Sequence, residues 1–414
     1  MKQEILSNLD NPTELEHLYR GNKITFTKAF NTIYPEIKEN STAQIWHLRL
    51  NYPQDEIFWG KRNDLIFFFM AALISGFIAK IPAFFGFSYE LFLPKNIGFI
   101  VFPMLMLYFS RKHKLGINQM LLPIISILLS VLYINFLPKI NDSNSILLAC
   151  IHLPIFLWTV LGYSFVGGNV KDLDKKVEFL RYNGEVVVMT NIIMLAGIAF
   201  SGITVGLFSL IGFKIVTFYF ENIAIWGVAS VPLLATYLTQ NNPNLVNKIS
   251  PIIARIFTPL VFLTLLIFLS AIVFTRKNLF NDRDFLLLFN FLLIGVMAIV
   301  IFSVTEATKS ANKKINLIIL LGLSILTIIT NGIALSAIAF RLFEFGISAN
   351  RIAVLGGNLL IFANLIIVAY SLLSVIKGKV ELQKVDFAIT LFIPVYGIWA
   401  AFVVFIVPIL FNFK

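Results

Sequence analysis

Charge is scarce in this sequence. Acidic and basic residues together make up 13% of 414 residues, about half the share of a soluble domain. So few charges cannot cover a surface in water, which excludes a free cytosolic enzyme, a disordered segment and a coiled coil. Cysteine is nearly absent. Cys150 stands alone in an apolar run, so there is no intrachain disulfide framework, and a small buried hydrophobe is its plain role. The four histidines, His17, His47, His113 and His152, are scattered. They have no metal-ligand spacing and no placement as haem ligands. A P-loop, a dinucleotide fingerprint and a nucleophile elbow are all missing. No catalytic residue, metal or cofactor is expected.

What the sequence has is apolar length. Hydrophobic residues reach 58%, with 42 phenylalanines, and the mean hydropathy is +0.85. From Leu65 onward, apolar runs alternate with short polar connectors. A span needs roughly 20 apolar residues. Spans are expected near 65–83, 96–110, 117–137, 146–166, 186–209, 215–238, 253–275, 285–304, 315–340, 353–376 and 387–411. The fold class is therefore all-α, a polytopic protein of the lipid bilayer with about eleven transmembrane helices. The second run is short and contains Pro103, while Pro394 and Pro408 predict a kink or division in the last.

Residues 1–63 differ from the rest 64–414 in being polar and mixed in charge. No cleavable signal pattern opens them. Asn11-Pro12-Thr13-Glu14 reads as a helix start, with Leu15, Leu18 and Tyr19 on one face and Gly21-Asn22 as its stop. A second helix is predicted over Thr27–Tyr34, with Phe26, Phe30, Ile33 and Tyr34 on one side. A third, over Ser41–Leu50, carries Ile45, Trp46 and Leu48. These form a small helical cap, expected to pack on itself or on the membrane domain, and a place for a protein partner.

The net charge of +11 belongs to connectors rather than to nucleic acid, because no basic run is interleaved with exposed aromatics. With the N-terminus cytosolic, inner segments hold about 16 Lys and Arg and outer segments about 9. That bias places the cap in the cytosol and, after eleven spans, the C-terminus outside. The most charged connector holds Asp172, Asp174, Lys175, Lys176, Glu178 and Arg181, and predicts an amphipathic turn at the inner surface.

Polar residues inside spans carry the functional signal, since a charge in hydrocarbon costs several kcal/mol unless it has a partner or a cavity. Glu221-Asn222 lies about six residues, roughly 9 Å, from the outer end of its span. Asn290, Asn331, Asn358 and Asn364 fall in the outer halves of later spans, and the connector adds Arg341, Glu344, Asn350 and Arg351. The coincidence predicts an outward-open polar cavity between spans six, eight, nine and ten. Glu221 would be its buried carboxylate and Arg341 its counter-charge, fit for a cation or a proton. The opposing reading has these residues as interhelical hydrogen bonds that fix packing.

The connector also reads as helix punctuation. Arg341 and Glu344 are spaced to pair, Gly346 to stop a helix, and Ser348 or Asn350 to cap the next. Its arginines would otherwise receive an anionic headgroup or substrate. Gly202 and Gly206 form a GxxxG, Gly357, Asn364 and Ser371 recur every seven residues, and both patterns predict close helix packing. Trp158, Trp226 and Trp399 are expected to pack within spans.

The run from Arg341-Leu342-Phe343-Glu344-Phe345-Gly346-Ile347-Ser348-Ala349-Asn350-Arg351 to Asn358 resembles a segment in a family of uncharacterised bacterial inner-membrane proteins. That family is number four-one-five-three among domains of unknown function, and some members are labelled permeases. The similarity extends over Ile249–Arg255 and Thr258-Pro259-Leu260, and over Leu15–Arg20 and Tyr34-Pro35-Glu36. It implies a polytopic fold in a bacterial inner membrane and supplies neither substrate nor site. The expected function is a permease or secondary transporter of a small molecule or ion. Competing readings are a non-transporting scaffold for an envelope or signalling system, and a lipid-modifying enzyme using Arg341, Glu344 and Arg351.

Overall fold

Helix accounts for almost all of the backbone, and no strand occurs among the described residues. The computed structural model describes residues 1–51, 61–138, 143–210, 214–242, 258–267, 269–270, 283–307 and 313–414. Both ends of the seventh predicted span, 253–257 and 271–275, lie outside them, as do Lys139, Lys248, Arg255, Arg276, Lys277 and Lys309. The chain divides into two compact units, Met1–Trp59 and Gly60–Lys414.

The first unit has four helices, α1 (Lys2–Ser7), α2 (Pro12–Gly21), α3 (Lys23–Ile33) and α4 (Ser41–Asn51). Asn11 caps α2 by accepting from the Glu14 N–H at 3.3 Å, with Pro12 in the first turn. Asn22 both ends α2 and caps α3 through the Thr25 N–H. The third helix thus starts four residues before its predicted position. A cap residue satisfies donors that have no partner within the helix, so it sets the boundary more firmly than the apolar pattern does. Ile5, Leu15, Phe26, Phe30 and Trp46 fill a core of the unit's own. Ile45 and Leu48 of α4 are exposed. Arg49 crosses the ring of Trp46 at 4.5 Å and pairs with Glu16 at 2.7 Å, while Arg20 takes the other Glu16 oxygen at 2.8 Å.

The second unit contains nine described helices long and apolar enough to cross a membrane. They are α5 (Arg62–Phe85), α6 (Tyr89–Lys112), α7 (Ile117–Phe136), α8 (Asn144–Phe165), α9 (Leu173–Leu210), α10 (Val216–Asn241), α13 (Lys313–Phe345), α14 (Ala349–Ile376) and α15 (Gln383–Leu410). Between α10 and α13 lie a short apolar helix, α11 (Thr258–Ile267), and the 25-residue α12 (Arg283–Ala307). The chain is a helical membrane protein. Its outward side chains agree: α7 turns Ile117, Leu121, Ile125, Leu128, Leu132 and Phe136 away from the protein, as a lipid solvent allows.

Two boundaries of the spans differ most from those predicted. The charged connector segment is not separate, because Asp172 accepts from the Lys175 N–H and α9 starts at Leu173. The second span begins at Tyr89, not near residue 96, and runs through Pro94 and Pro103. It can include Lys95 because that ammonium donates to the carbonyls of Leu137 and Pro138, at 2.7 and 3.3 Å, beyond the end of α7. In α15 the helix is interrupted at Phe392 and opens into a π-turn at Phe402–Ile406, just ahead of Pro394 and Pro408. Each proline removes a donor and crowds the preceding turn, which these irregularities relieve.

Helix α8 is the hub, touching α6, α7, α9, α14 and α15. Van der Waals fit rather than water exclusion drives such contacts in lipid, so small residues matter where backbones approach. The small residues used are not those of the GxxxG motif: Gly202 and Gly206 face open space, as does Gly357. Aromatic rings seat on other glycines, Trp226 on Gly76, Trp399 on Gly356, Phe302 on Gly184 and Phe179 on Gly162. Trp158 donates to Asn183 at 2.9 Å, and Cys150 is buried.

Two outcomes test these contacts. Gly356→Val drives a side chain into the Trp399 ring and is expected to cost about 1–3 kcal/mol, read as a lower melting temperature in detergent, whereas Gly202→Val leaves melting unchanged. In the first unit the Arg49 and Arg20 hydrogen bonds hold the Glu16 carboxyl below its usual range. Their contribution is therefore full above the unfolded carboxylate value and lost as pH falls through the lower folded one. Hydrogen exchange over residues 12–51, corrected for its intrinsic pH dependence, is expected to show that acid loosening in the wild type and not in Glu16→Gln.

Candidate functional site

The connector after α13 builds one side of a cavity. Helix α13 stops at Phe345 because Gly346 takes φ +75°, and Ser348 caps α14 through the Arg351 N–H at 3.4 Å. Arg351 turns back on this corner, donating from Nη1 to the carbonyls of Phe345, at 2.8 Å, and Gly346. Asn350 donates to Asn144 Oδ1 at 3.0 Å, tying the start of α14 to the start of α8. The Ser145 N–H donates to the main-chain oxygen of Lys414 at 3.0 Å, which brings the chain's last residues to the same place. Between these elements lies a cavity of about 600 Å³, lined on its polar side by Asn144, Asn290, Arg341, Asn350, Arg351 and Lys414.

A chain of amides leads inward from that cavity. Asn290 Oδ1 of α12 accepts from Asn358 Nδ2 of α14 at 2.8 Å. The Asn358 carbonyl in turn accepts from Asn331 Nδ2 of α13 at 3.0 Å. Asn331 is fully buried, and its Oδ1 has no hydrogen-bond partner. Six residues along α14, Asn364 donates to the Tyr396 hydroxyl of α15 at 3.0 Å and also keeps an unpartnered Oδ1. Buried amide oxygens without a partner are uncommon, because each costs roughly 1–3 kcal/mol.

The ten residues singled out by sequence thus divide. Asn290, Arg341, Asn350 and Arg351 share the cavity, and Asn358 and Asn331 extend from it. Asn364 joins α15 instead. Glu344 is exposed, makes no ion pair with Arg341 and does not line the cavity. Glu221 and Asn222 belong elsewhere, and Glu221 is not a buried carboxylate but an exposed one. What is buried there is Lys80 of α5, 5% exposed. Its ammonium donates to the Glu221 carbonyl at 2.7 Å and to Asn222 Oδ1 at 3.1 Å. The carbonyl is free to accept because α10 opens into a π-turn over Phe220–Ala224, where the usual helical bond is displaced.

Sequence reasoning passed over Lys80, Lys95, Asn144 and Lys414. The signal for Lys80 was present, an ionisable residue inside an apolar run. Lys95 and Lys414 were counted only as connector charges, and nothing local marks Asn144. No group of His, Cys, Asp or Glu able to hold a metal occurs among the described residues. At the start of α5 and the ends of α6 and α10, Asp64, Tyr108, Arg111, Lys112, Gln240 and Asn241 line a smaller cavity of about 280 Å³. Beside it in sequence, the His113 imidazole is kept below its ordinary pKa by burial and by the charges of Lys112 and Lys175.

The Lys80 arrangement makes a differential prediction. Lys80→Met strips the donor from two acceptors and is expected to lower the melting temperature, at a cost of about 1–3 kcal/mol. Glu221→Gln alters a carboxylate that touches nothing described and is expected to melt like the wild type. Parallel melting curves in one detergent check both.

No protein-family model, curated protein or solved structure matches the chain, so a function has to be argued from this geometry.

Proposed function

We propose that the chain is a permease, a secondary transporter that admits its substrate through the cavity between α8, α13, α14 and the chain's last residues. One observation carries this reading: from the polar side of the cavity an amide series, Asn290, Asn358 and Asn331, runs inward and ends on a buried amide oxygen with no partner. A transport path needs acceptors free to exchange partners with a passing ligand, and the Asn331 oxygen is one. Short connectors and the absence of any nucleotide-binding motif favour a secondary rather than a pumped mechanism.

With α11 and α12 added to the nine long helices, the bundle has about eleven spans. The Lys and Arg bias then puts the first unit in the cytosol, and the cavity and C-terminus outside. Residence in a bacterial inner membrane follows from the resemblance at Arg341–Asn358. A second reading, a scaffold holding a protein partner, draws on Ile45 and Leu48, which the first unit leaves 66% and 68% exposed.

Thiol labelling separates the two. On a Cys150→Ser background, Asn290→Cys and Asn331→Cys are treated with a membrane-impermeant thiol reagent in intact cells and in inverted vesicles, with exposed Glu344→Cys as the positive control. The permease reading expects Asn290→Cys to label from outside and Asn331→Cys to label from both sides. Labelling of Glu344→Cys alone overturns it and favours the scaffold.

A further inference from the structure

We infer that the cavity binds an amphipathic anion, a phosphate ester carrying an acyl or alkyl chain, with Arg341 as its principal headgroup ligand. This deepens the permease reading and rests on the same cavity. The first argument is charge. Among the described residues, Arg341, Arg351 and Lys414 line the cavity and no acidic side chain does. Even with a carboxylate at Lys414 subtracted, the wall keeps a positive excess. The second is the state of Arg341, which is half-buried and has no hydrogen bond or ion pair among the described residues. A guanidinium carries five donors, and one this close to hydrocarbon ordinarily spends them.

Two structural explanations of such an arginine do not apply here. Glu344, one turn further along α13, makes no ion pair with it. The carbonyls of Phe345, the last residue of α13, and of Gly346 are already served by Arg351. Arg341 is therefore spent neither on an acid nor on a helix end, and its fork fits a phosphate.

The third argument is the backbone around it. Helices α8 and α14 both begin at the cavity, joined by the Asn350–Asn144 bond. The N-terminal ends of both favour negative charge. The fourth is shape. Leu147, Leu148, Ile151, Ile338, Val354 and Phe411 make the rest of the wall apolar. A cavity of about 600 Å³ is far larger than an inorganic anion requires and lies within the roughly 300–1,000 Å³ of organic-ligand sites. Cationic donors on one side and aliphatic side chains on the other match a ligand with a charged head and a hydrocarbon tail.

The test uses the purified full chain in a neutral detergent, with thermal melting followed against concentration. The probes are dodecyl phosphate, inorganic phosphate and dodecyl maltoside. Dodecyl phosphate is expected to raise the melting temperature saturably, inorganic phosphate to act only at concentrations about tenfold higher or more, and the maltoside not to act. Arg341→Gln is expected to weaken dodecyl phosphate about tenfold or more, the loss of one charge-assisted pair. Arg341→Lys keeps the charge and removes the fork, and is expected to fall between, which preserves the test should the glutamine variant fold poorly.

No saturable stabilisation by dodecyl phosphate, or unchanged binding by both Arg341 variants, overturns the proposal. Equal action of inorganic phosphate overturns the amphiphile and assigns a free anion. Two-sided thiol labelling without dodecyl phosphate binding leaves the permease standing and removes this ligand. Binding without labelling keeps the lipid site and removes transport.

Discussion

A polar atom surrounded by hydrocarbon has no water to turn to, so its partner has to be inside the protein. That constraint organises this bundle more than any ion pair does. Lys95 answers the carbonyls beyond the end of α7, Arg351 those at the end of α13, and Arg181 donates to the Thr305 carbonyl of α12 at 3.2 Å. Lys80 answers a carbonyl inside α10, set free by a π-turn. In each case a cation is matched to the negative end of peptide dipoles rather than to a carboxylate. A long aliphatic stem makes this workable, because the stem packs among apolar neighbours while the ammonium or guanidinium reaches its acceptor.

The same solvent removes the usual reason for helices to associate. Lipid tails are as apolar as leucine, so closeness of fit has to do the work. Here the fit comes from indole and phenyl rings laid on glycines: Trp226 on Gly76, Trp399 on Gly356, Phe302 on Gly184. A ring on a bare Cα gains many dispersion contacts at once. It also fixes the partner helix in rotation, since only the glycine's face admits the ring. Helix α8 collects the most neighbours and gives the amide and ring contacts a common reference.

How legible this was in the sequence depends on the range of the interaction. Features decided within a few residues were readable: the Asn11 cap with Pro12, the Gly346 stop, the Ser348 cap and the apolar run lengths of the nine long helices. Pairings across the bundle were not. Glu221 and Asn290 lie at similar depths in their spans, yet Glu221 is exposed and Asn290 reaches Asn358. Depth gives one coordinate along the membrane normal and says nothing about rotation of the helix or its neighbours. The GxxxG at Gly202 failed for the same reason, a local pattern without knowledge of which face meets another helix. Lys80 is marked in the sequence as an ionisable residue inside an apolar run, but its acceptors, on a helix 141 and 142 residues away, are not.

Satisfaction of polar groups also separates structure from function among residues that look alike. Asn96 and Asn135 exchange both amide hydrogen bonds at 2.9 Å, and nothing is left to offer a ligand. Lys95 places its ammonium on two carbonyls. Asn331 differs: its NH₂ is engaged but its oxygen is not, and it is the innermost of a series that opens on a cavity. Arg341 differs in the same way at the outer end, a guanidinium without an acceptor among the described residues. An unmet donor at the mouth and an unmet acceptor inside are costs that folding alone gives no reason to retain. A ligand that brings an anionic oxygen to the first would offset its cost, and the protein would then be more stable when occupied. The pairing of these two vacancies, rather than the number of polar residues in the spans, is what singles out the cavity between α8, α13 and α14.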